Sequence, residues 1–126
     1  MKTMRIKVLL LLVSYLSGSV PFGLLYSRFV EREDVREKGS GNIGATNIIR
    51  NFGWTPGLLV LLLDALKGAL PVYLTVQLFP KDPLVWILVG GVAIGGHVFS
   101  VFLYFDGGKG VATSAGVFAV LMPQAL

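Results

Sequence analysis

Gly57-Leu-Leu-Val-Leu-Leu-Leu-Asp-Ala-Leu-Lys-Gly-Ala-Leu-Pro-Val-Tyr-Leu-Thr-Val-Gln-Leu-Phe79 is the stretch whose reading decides the fold. Its 23 residues exceed the roughly 20 apolar residues that a bilayer-crossing helix needs. Three further apolar stretches flank it, Val8–Val30, Leu84–Phe105 and Val111–Leu126, of 23, 22 and 16 residues. Asp64 and Lys67 interrupt the first-named stretch three residues apart, so they share one helix face. Isolated charges would be expensive in lipid, so both are expected to face the bundle interior, as an internal salt pair or as functional groups.

Composition points the same way. Of 126 residues, 54% are hydrophobic and only 14% are charged, and the mean hydropathy is +0.74. A small soluble domain has a high surface-to-volume ratio and needs a polar surface, and average soluble chains carry about 25% charged residues. The expected fold is therefore all-α, a polytopic transmembrane helical bundle of about four helices. No period of 20 to 50 residues repeats, so residues 1–126 read as a single transmembrane domain. That domain is expected to be incomplete at its C-terminus, because Met122-Pro-Gln-Ala-Leu126 supplies neither a helix cap nor a polar tail.

The chain has no cysteine and one histidine, which argues against a disulfide framework and a protein-only metal site. The net charge of +4 is spread over the polar segments without a dense basic tract. Nucleic acid is thus a poor partner, while anionic headgroups or phosphorylated substrates suit the charge.

Lys2, Arg5 and Lys7 before an apolar run could be taken for a signal peptide, with Ser17-Gly-Ser-Val-Pro-Phe-Gly23 supplying small residues. Leu24 to Val30 then resumes the apolar pattern, which a cleavage site does not require. A helix interrupted or bent at Gly18–Pro21 is the better reading, and such breaks face protein or a cavity. The side bearing the 31–56 and 106–110 loops holds Arg28, Arg32, Arg36, Lys38, Arg50 and Lys109, against Lys2, Arg5, Lys7 and Lys81 opposite. The excess places both loops in the cytoplasm.

Lys38-Gly-Ser-Gly-Asn-Ile-Gly-Ala-Thr-Asn47 is the most informative polar segment. Gly39, Gly41 and Gly44 let the backbone turn with positive φ and approach a ligand, and successive N–H groups in such turns make a concave anion site. Ser40, Asn42, Thr46 and Asn47 add side-chain donors, and Arg36 and Arg50 offer bidentate phosphate geometry. A helix starting near Ala45 would add its N-terminal amides. The bland reading is a glycine-shaped turn between helices, with Arg32 and Arg36 solvated among Glu31, Glu33, Asp34 and Glu37.

The same string matches the dinucleotide pattern GxGxxG, with Asp64 further along. That pattern needs a preceding buried strand, whereas Glu31–Lys38 is a charged run, so nucleotide binding is rejected. Around Lys109, Gly107, Gly108 and Gly110 form a second turn able to present amides and an ammonium to another phosphate, or else simply a flexible turn. It is not a Walker A loop. His97, the sole histidine, lies in an apolar segment and is either a functional group or a neutral histidine bonded to a carbonyl.

Taken together, Ser17–Gly23, Gly39–Asn47, Leu63-Asp-Ala-Leu-Lys-Gly68 and His97–Thr113 resemble the signatures of the bacterial membrane glycerol-3-phosphate acyltransferases that use acyl phosphate. The resemblance implies transfer of a fatty acyl group from acyl phosphate to the 1-hydroxyl of glycerol 3-phosphate, giving lysophosphatidate for phospholipid biosynthesis in the bacterial inner (plasma) membrane, without a cofactor. Carried over by position, Ser40, Arg50 and Lys109 would hold substrate phosphate and His97 would shape the site, with the loop amides of Gly39, Gly41, Asn42 and Gly44 completing the cradle. Two departures stand out. Asp106 occupies a position where the family usually has Lys, and the chain ends before the family's last motif. A small multi-helix transporter of anionic or cationic solutes is the competing class, since broken helices can form midplane sites. A structural subunit of a lipid-synthesis complex is the third.

Overall fold

The computed structural model describes residues 1–126 and contains helices and no strands. There are six α-helices: α1 (Lys2–Ser19), α2 (Phe22–Phe29), α3 (Ala45–Phe52), α4 (Trp54–Leu78), α5 (Pro83–Val98) and α6 (Val111–Ala125). Short 3₁₀ turns cover Val35–Glu37 and Val101–Leu103. Two helical segments, Trp54–Leu78 and Pro83–Leu103, are long and apolar enough to cross a membrane, and the bent pair α1–α2 makes a third if it is one span. At 15 residues, α6 is apolar but shorter than the roughly 20 a full crossing needs.

Four helices were expected and six are found, for two local reasons. The first apolar stretch is broken at Val20-Pro21, where α1 and α2 meet at 41°. Pro21 has no N–H to donate and cannot continue the helix ladder. The second reason is α3, a short amphipathic helix that starts at Ala45. Gly53, at φ 97°, then separates it from α4. The third apolar stretch also stops being helical early: α5 ends at Val98, not at Phe105.

Glycines let the helices meet backbone to backbone, the usual device where lipid removes the hydrophobic drive for association. On the α1–α5 seam, a methyl group at Gly18 would collide with the Ala93 carbonyl, and one at Gly96 with the Tyr15 carbonyl. On the α4–α6 seam, Gly116 lies against the Ala65 carbonyl and Gly68 against that of Thr113. Between the seams, Leu10, Val72, Val76, Val85, Val89, Ala93 and Val117 form one buried core. A second core, of Leu24, Val35, Ile43, Ile48, Val60 and Leu103, lies under the loops and fastens them to the helices.

Buried polar contacts close the break in the first span. Ser100 Oγ donates to the Ser19 carbonyl at 2.5 Å, and Lys67 Nζ donates to the Val20 carbonyl at 2.8 Å. The Ser19 carbonyl would otherwise lack a partner inside lipid, where an unsatisfied backbone group costs several kcal/mol, while the Val20 carbonyl also accepts from the Phe22 N–H at 3.1 Å. Lys67 Nζ also lies 2.9 Å from Asp64 Oδ1, so the sequence expectation of an internal salt pair holds. At the other end of the bundle Lys7 and Asp82 pair at 2.6 Å. Asp82 also caps α5 by accepting from Val85 N–H, with Pro83 in the first turn.

Candidate functional site

The first glycine-rich loop is shaped by one side chain. Asn47, 2% exposed, directs its amide nitrogen at the carbonyls of Val35 (3.2 Å), Lys38 (3.0 Å) and Asn42 (2.9 Å). Its Oδ1 accepts from Ser40 N–H at 3.1 Å and from Asn51 Nδ2 at 3.0 Å. An amide group has two donor hydrogens, so three acceptors use it fully. Asn47 is therefore the loop's internal tie; the sequence expectation of a free phosphate donor in its side chain is corrected.

The loop glycines divide by role. Gly39 (φ 53°) and Gly41 (φ 76°) occupy the left-handed region that favours glycine. Gly44 is extended (φ −78°, ψ 169°) and stands at the N-cap of α3, so the expected positive φ is corrected there. Several amides expected to cradle phosphate are engaged within the loop: Gly41 N–H donates to Lys38 O, Asn42 N–H to Ser40 Oγ, and Gly44 N–H to Asn42 Oδ1.

The second loop differs from expectation in the same way. Gly107 N–H donates to the Val98 carbonyl at 2.9 Å and Gly108 N–H to that of His97 at 3.1 Å, closing the C-terminus of α5. These two amides serve the helix end, whose last carbonyls lack intrahelical donors. Gly108 is needed for closeness: a methyl group there would lie 2.5 Å from His97 Nε2 and 3.2 Å from Ile43 Cγ1. Buried His97 thus sets the path of the second loop against the first, and its Nδ1 has no hydrogen-bond partner.

Both loops open onto one cleft of about 340 Å³. The first loop contributes Ser40, Asn42 and Gly44, and α3 contributes Ala45, Thr46, Asn47 and Arg50. The second loop contributes Lys109 and Gly110, α6 adds Val111 and Ala112, and His97, Asp64 and Leu61 complete the wall. Of the sequence-selected residues, Ser40, Asn42, Gly44, Thr46, Asn47, Arg50, His97, Lys109 and Gly110 are on this wall. Gly39, Gly41, Gly107 and Gly108 are not; they act on the backbone that carries it.

The electrostatics of the cleft are positive. Arg50 and Lys109 are exposed and take part in no ion pair. The helices α3 and α6 both begin on the wall, each bringing first-turn amides without intrahelical acceptors and the positive end of a helix dipole. Arg36, expected to offer bidentate phosphate geometry, is instead held by Asp34, with Nη2 at 2.7 Å and Nε at 3.0 Å. That guanidinium holds the Asp34 carboxyl down at about 2, and Asp106 adds to the upward shift of Arg36. Asp106 itself is exposed and off the wall.

Sequence reasoning missed one wall residue of consequence, Asp64. Its spacing from Lys67 announced the ion pair, but its place beside the loops depends on how α4 packs against α5 and α6.

The chain is similar in sequence and in fold to known proteins. The sequence profile of the family described as Glycerol-3-phosphate acyltransferase matches residues 8–126. A glycerol-3-phosphate acyltransferase of Myxococcus xanthus is 56% identical over 116 residues, covering 92% of this chain and 60% of the relative. One from Moorella thermoacetica is 48% identical over 119 residues, covering 94% and 60%. The crystal structure of PlsY (YgiH), an integral membrane glycerol 3-phosphate acyltransferase, superposes in its glycerol 3-phosphate form with a TM-score of 0.86 at 42% identity, over 93% of this chain and 58% of that one. Its lysophosphatidic acid form gives 0.82 at 41% identity. The chain thus spans about 60% of the length of the relatives it matches. With its apolar helices and this likeness, it is a multi-pass membrane protein and belongs to the glycerol-3-phosphate acyltransferase family.

Proposed function

We propose that the cleft binds phosphate groups during acyl transfer from an acyl phosphate to the 1-hydroxyl of glycerol 3-phosphate, with lysophosphatidate and inorganic phosphate as products. The observation that carries this reading is the meeting of Ser40, Arg50 and Lys109, with the N-termini of α3 and α6, on one wall. The names of the relatives and the two forms of PlsY support the acceptor and the product.

Acyl phosphate is a mixed anhydride with a good leaving group, so the protein's task is to position and to neutralise. Holding the hydroxyl beside the acyl carbonyl converts an encounter into an intramolecular event. A bond forms from the 1-oxygen to the acyl carbon, and the anhydride C–O bond breaks with its electron pair leaving on phosphate. The hydroxyl proton goes to a substrate phosphate oxygen. Lys109, Arg50, Ser40 and the helix-end amides stabilise the charge that develops on the departing group. Within the reading, Gly39, Gly41, Gly107 and Gly108 shape the cradle, His97 holds the second loop, and Thr46 and Asn42 add polar contacts. The cleft faces the cytoplasm of a bacterial inner membrane, in keeping with the Lys/Arg excess on the loop side.

The test incubates the purified protein in lipid with acyl phosphate, acyl-CoA and glycerol 3-phosphate and identifies the products. Lysophosphatidate and inorganic phosphate are expected from acyl phosphate and none from acyl-CoA. Solute flux across liposomes without lysophosphatidate would overturn the reading in favour of transport.

A further inference from the structure

Asp64 combines three properties that an ion-pair role alone does not require. It is 2% exposed, yet it stands on the wall of the cleft. Its Oδ1 faces the Lys67 ammonium at 2.9 Å, a charge-assisted contact that uses only part of the carboxylate. That ammonium is shared, with a second bond to the Val20 carbonyl at 2.8 Å. Asp64 is therefore balanced in charge but only partly filled as an acceptor, since a carboxylate can accept about four hydrogen bonds. Acceptor capacity left unmatched on a buried carboxylate carries a desolvation cost.

We infer that Asp64 is the specificity-determining residue for the hydroxyl-bearing part of the phosphate ester, accepting a hydrogen bond from a glycerol hydroxyl. This rests on the phosphate-site reading above. The wall itself gives the polarity. A carboxylate repels phosphate, so the phosphoryl group belongs with Arg50, Lys109 and Ser40, and the neutral, donor-bearing end of the ligand with Asp64. Lys67 already neutralises the carboxylate, so a hydroxyl suits it better than a second cation. His97, on the same wall, adds a buried Nδ1 without a partner.

The experiment measures binding of glycerol 3-phosphate and of n-propyl phosphate, which lacks both hydroxyls, by calorimetry on the purified protein in lipid nanodiscs. A hydrogen bond to a charged group is worth about a tenfold preference or more, so the wild-type protein is expected to favour glycerol 3-phosphate by at least that factor. In Asp64→Asn the preference should fall to within about threefold, with propyl phosphate affinity retained. Because removing one charge strands Lys67, the double variant Asp64→Leu/Lys67→Met is measured alongside and should also lose the preference. Equal affinities in the wild-type protein, or a preference unchanged in either variant, overturn the inference while leaving the phosphate site standing. Failure of both esters to bind the wild-type protein overturns the phosphate site and the inference together.

Discussion

Lys67, in the middle of α4, donates a 2.8 Å hydrogen bond to the carbonyl of Val20, the residue at which the first span breaks. The same ammonium lies 2.9 Å from Asp64 on the cleft wall and 5.6 Å from the centre of the Phe22 ring at the start of α2. Beyond the break, Gly23 of α2 lies against the Ile43 carbonyl of the first glycine-rich loop. One buried cation therefore joins the broken helix, the cleft and, through α2, the loop.

Removing that cation is expected to be costly. Lys67→Met leaves the Asp64 carboxylate buried and unpaired and removes the tie from α4 to the Val20 carbonyl, and breaking a buried pair in this way typically costs about 3–5 kcal/mol. Thermal unfolding in detergent checks it; an unchanged midpoint would show that the pair does not hold the break.

Two glycines separate packing from helix propensity. Gly116→Ala drives a methyl group into the Ala65 carbonyl and should destabilise by about 1–3 kcal/mol. Gly91→Ala, where nothing lies within 4 Å, should be neutral or stabilising by up to about 1 kcal/mol. Parallel melting curves decide, and equal effects would contradict the close α4–α6 seam.

Asn47→Ala strips the first loop of its internal tie. Each buried group left without a partner costs about 1–3 kcal/mol, and the Ser40 N–H loses its acceptor. Hydrogen exchange should speed up across Gly39–Gly44 in this variant, while the middle of α5 stays protected. Unaltered exchange in the loop would rule out Asn47 as its organiser.

Asp34 gives a pH signature outside the membrane-spanning helices. Arg36 and Arg28 hold its folded pKa at about 2, below the ordinary value of 3.8. A depressed carboxyl stabilises the fold above its unfolded pKa, and that stabilisation is lost as pH falls through the folded one. The stability gap between wild type and Asp34→Asn should therefore be full above about pH 4 and close towards about pH 2. A gap constant over that window would mean the ion cluster contributes nothing.

Much of the architecture is legible in residue order, because long apolar runs and the Gly18–Pro21 interruption are local signals. The start of α3 at Ala45 follows from the glycine-rich run before it. The end of α5 is not legible: Phe99 to Phe105 continues the apolar run, and what stops the helix is tertiary. Ser100 bonds back to Ser19, and the Gly107 and Gly108 amides return to cap the last turn. For the same reason those amides looked free. Asn47 looked like a ligand because its acceptors at Val35 and Lys38 lie across a turn, and Arg36 looked available until Asp34, two residues away, closed on it. Of the residues kept for the cleft, Arg50 and Lys109 take part in no ion pair in the fold.

The phosphate site is tested most directly by the affinity of glycerol 3-phosphate for the wild-type protein and for Lys109→Met, which keeps the apolar stem and removes the ammonium. Binding should weaken with added salt and fall by at least about tenfold in the variant, as expected for the loss of a charge-assisted contact. Equal affinity in the two proteins, insensitive to salt, would contradict it.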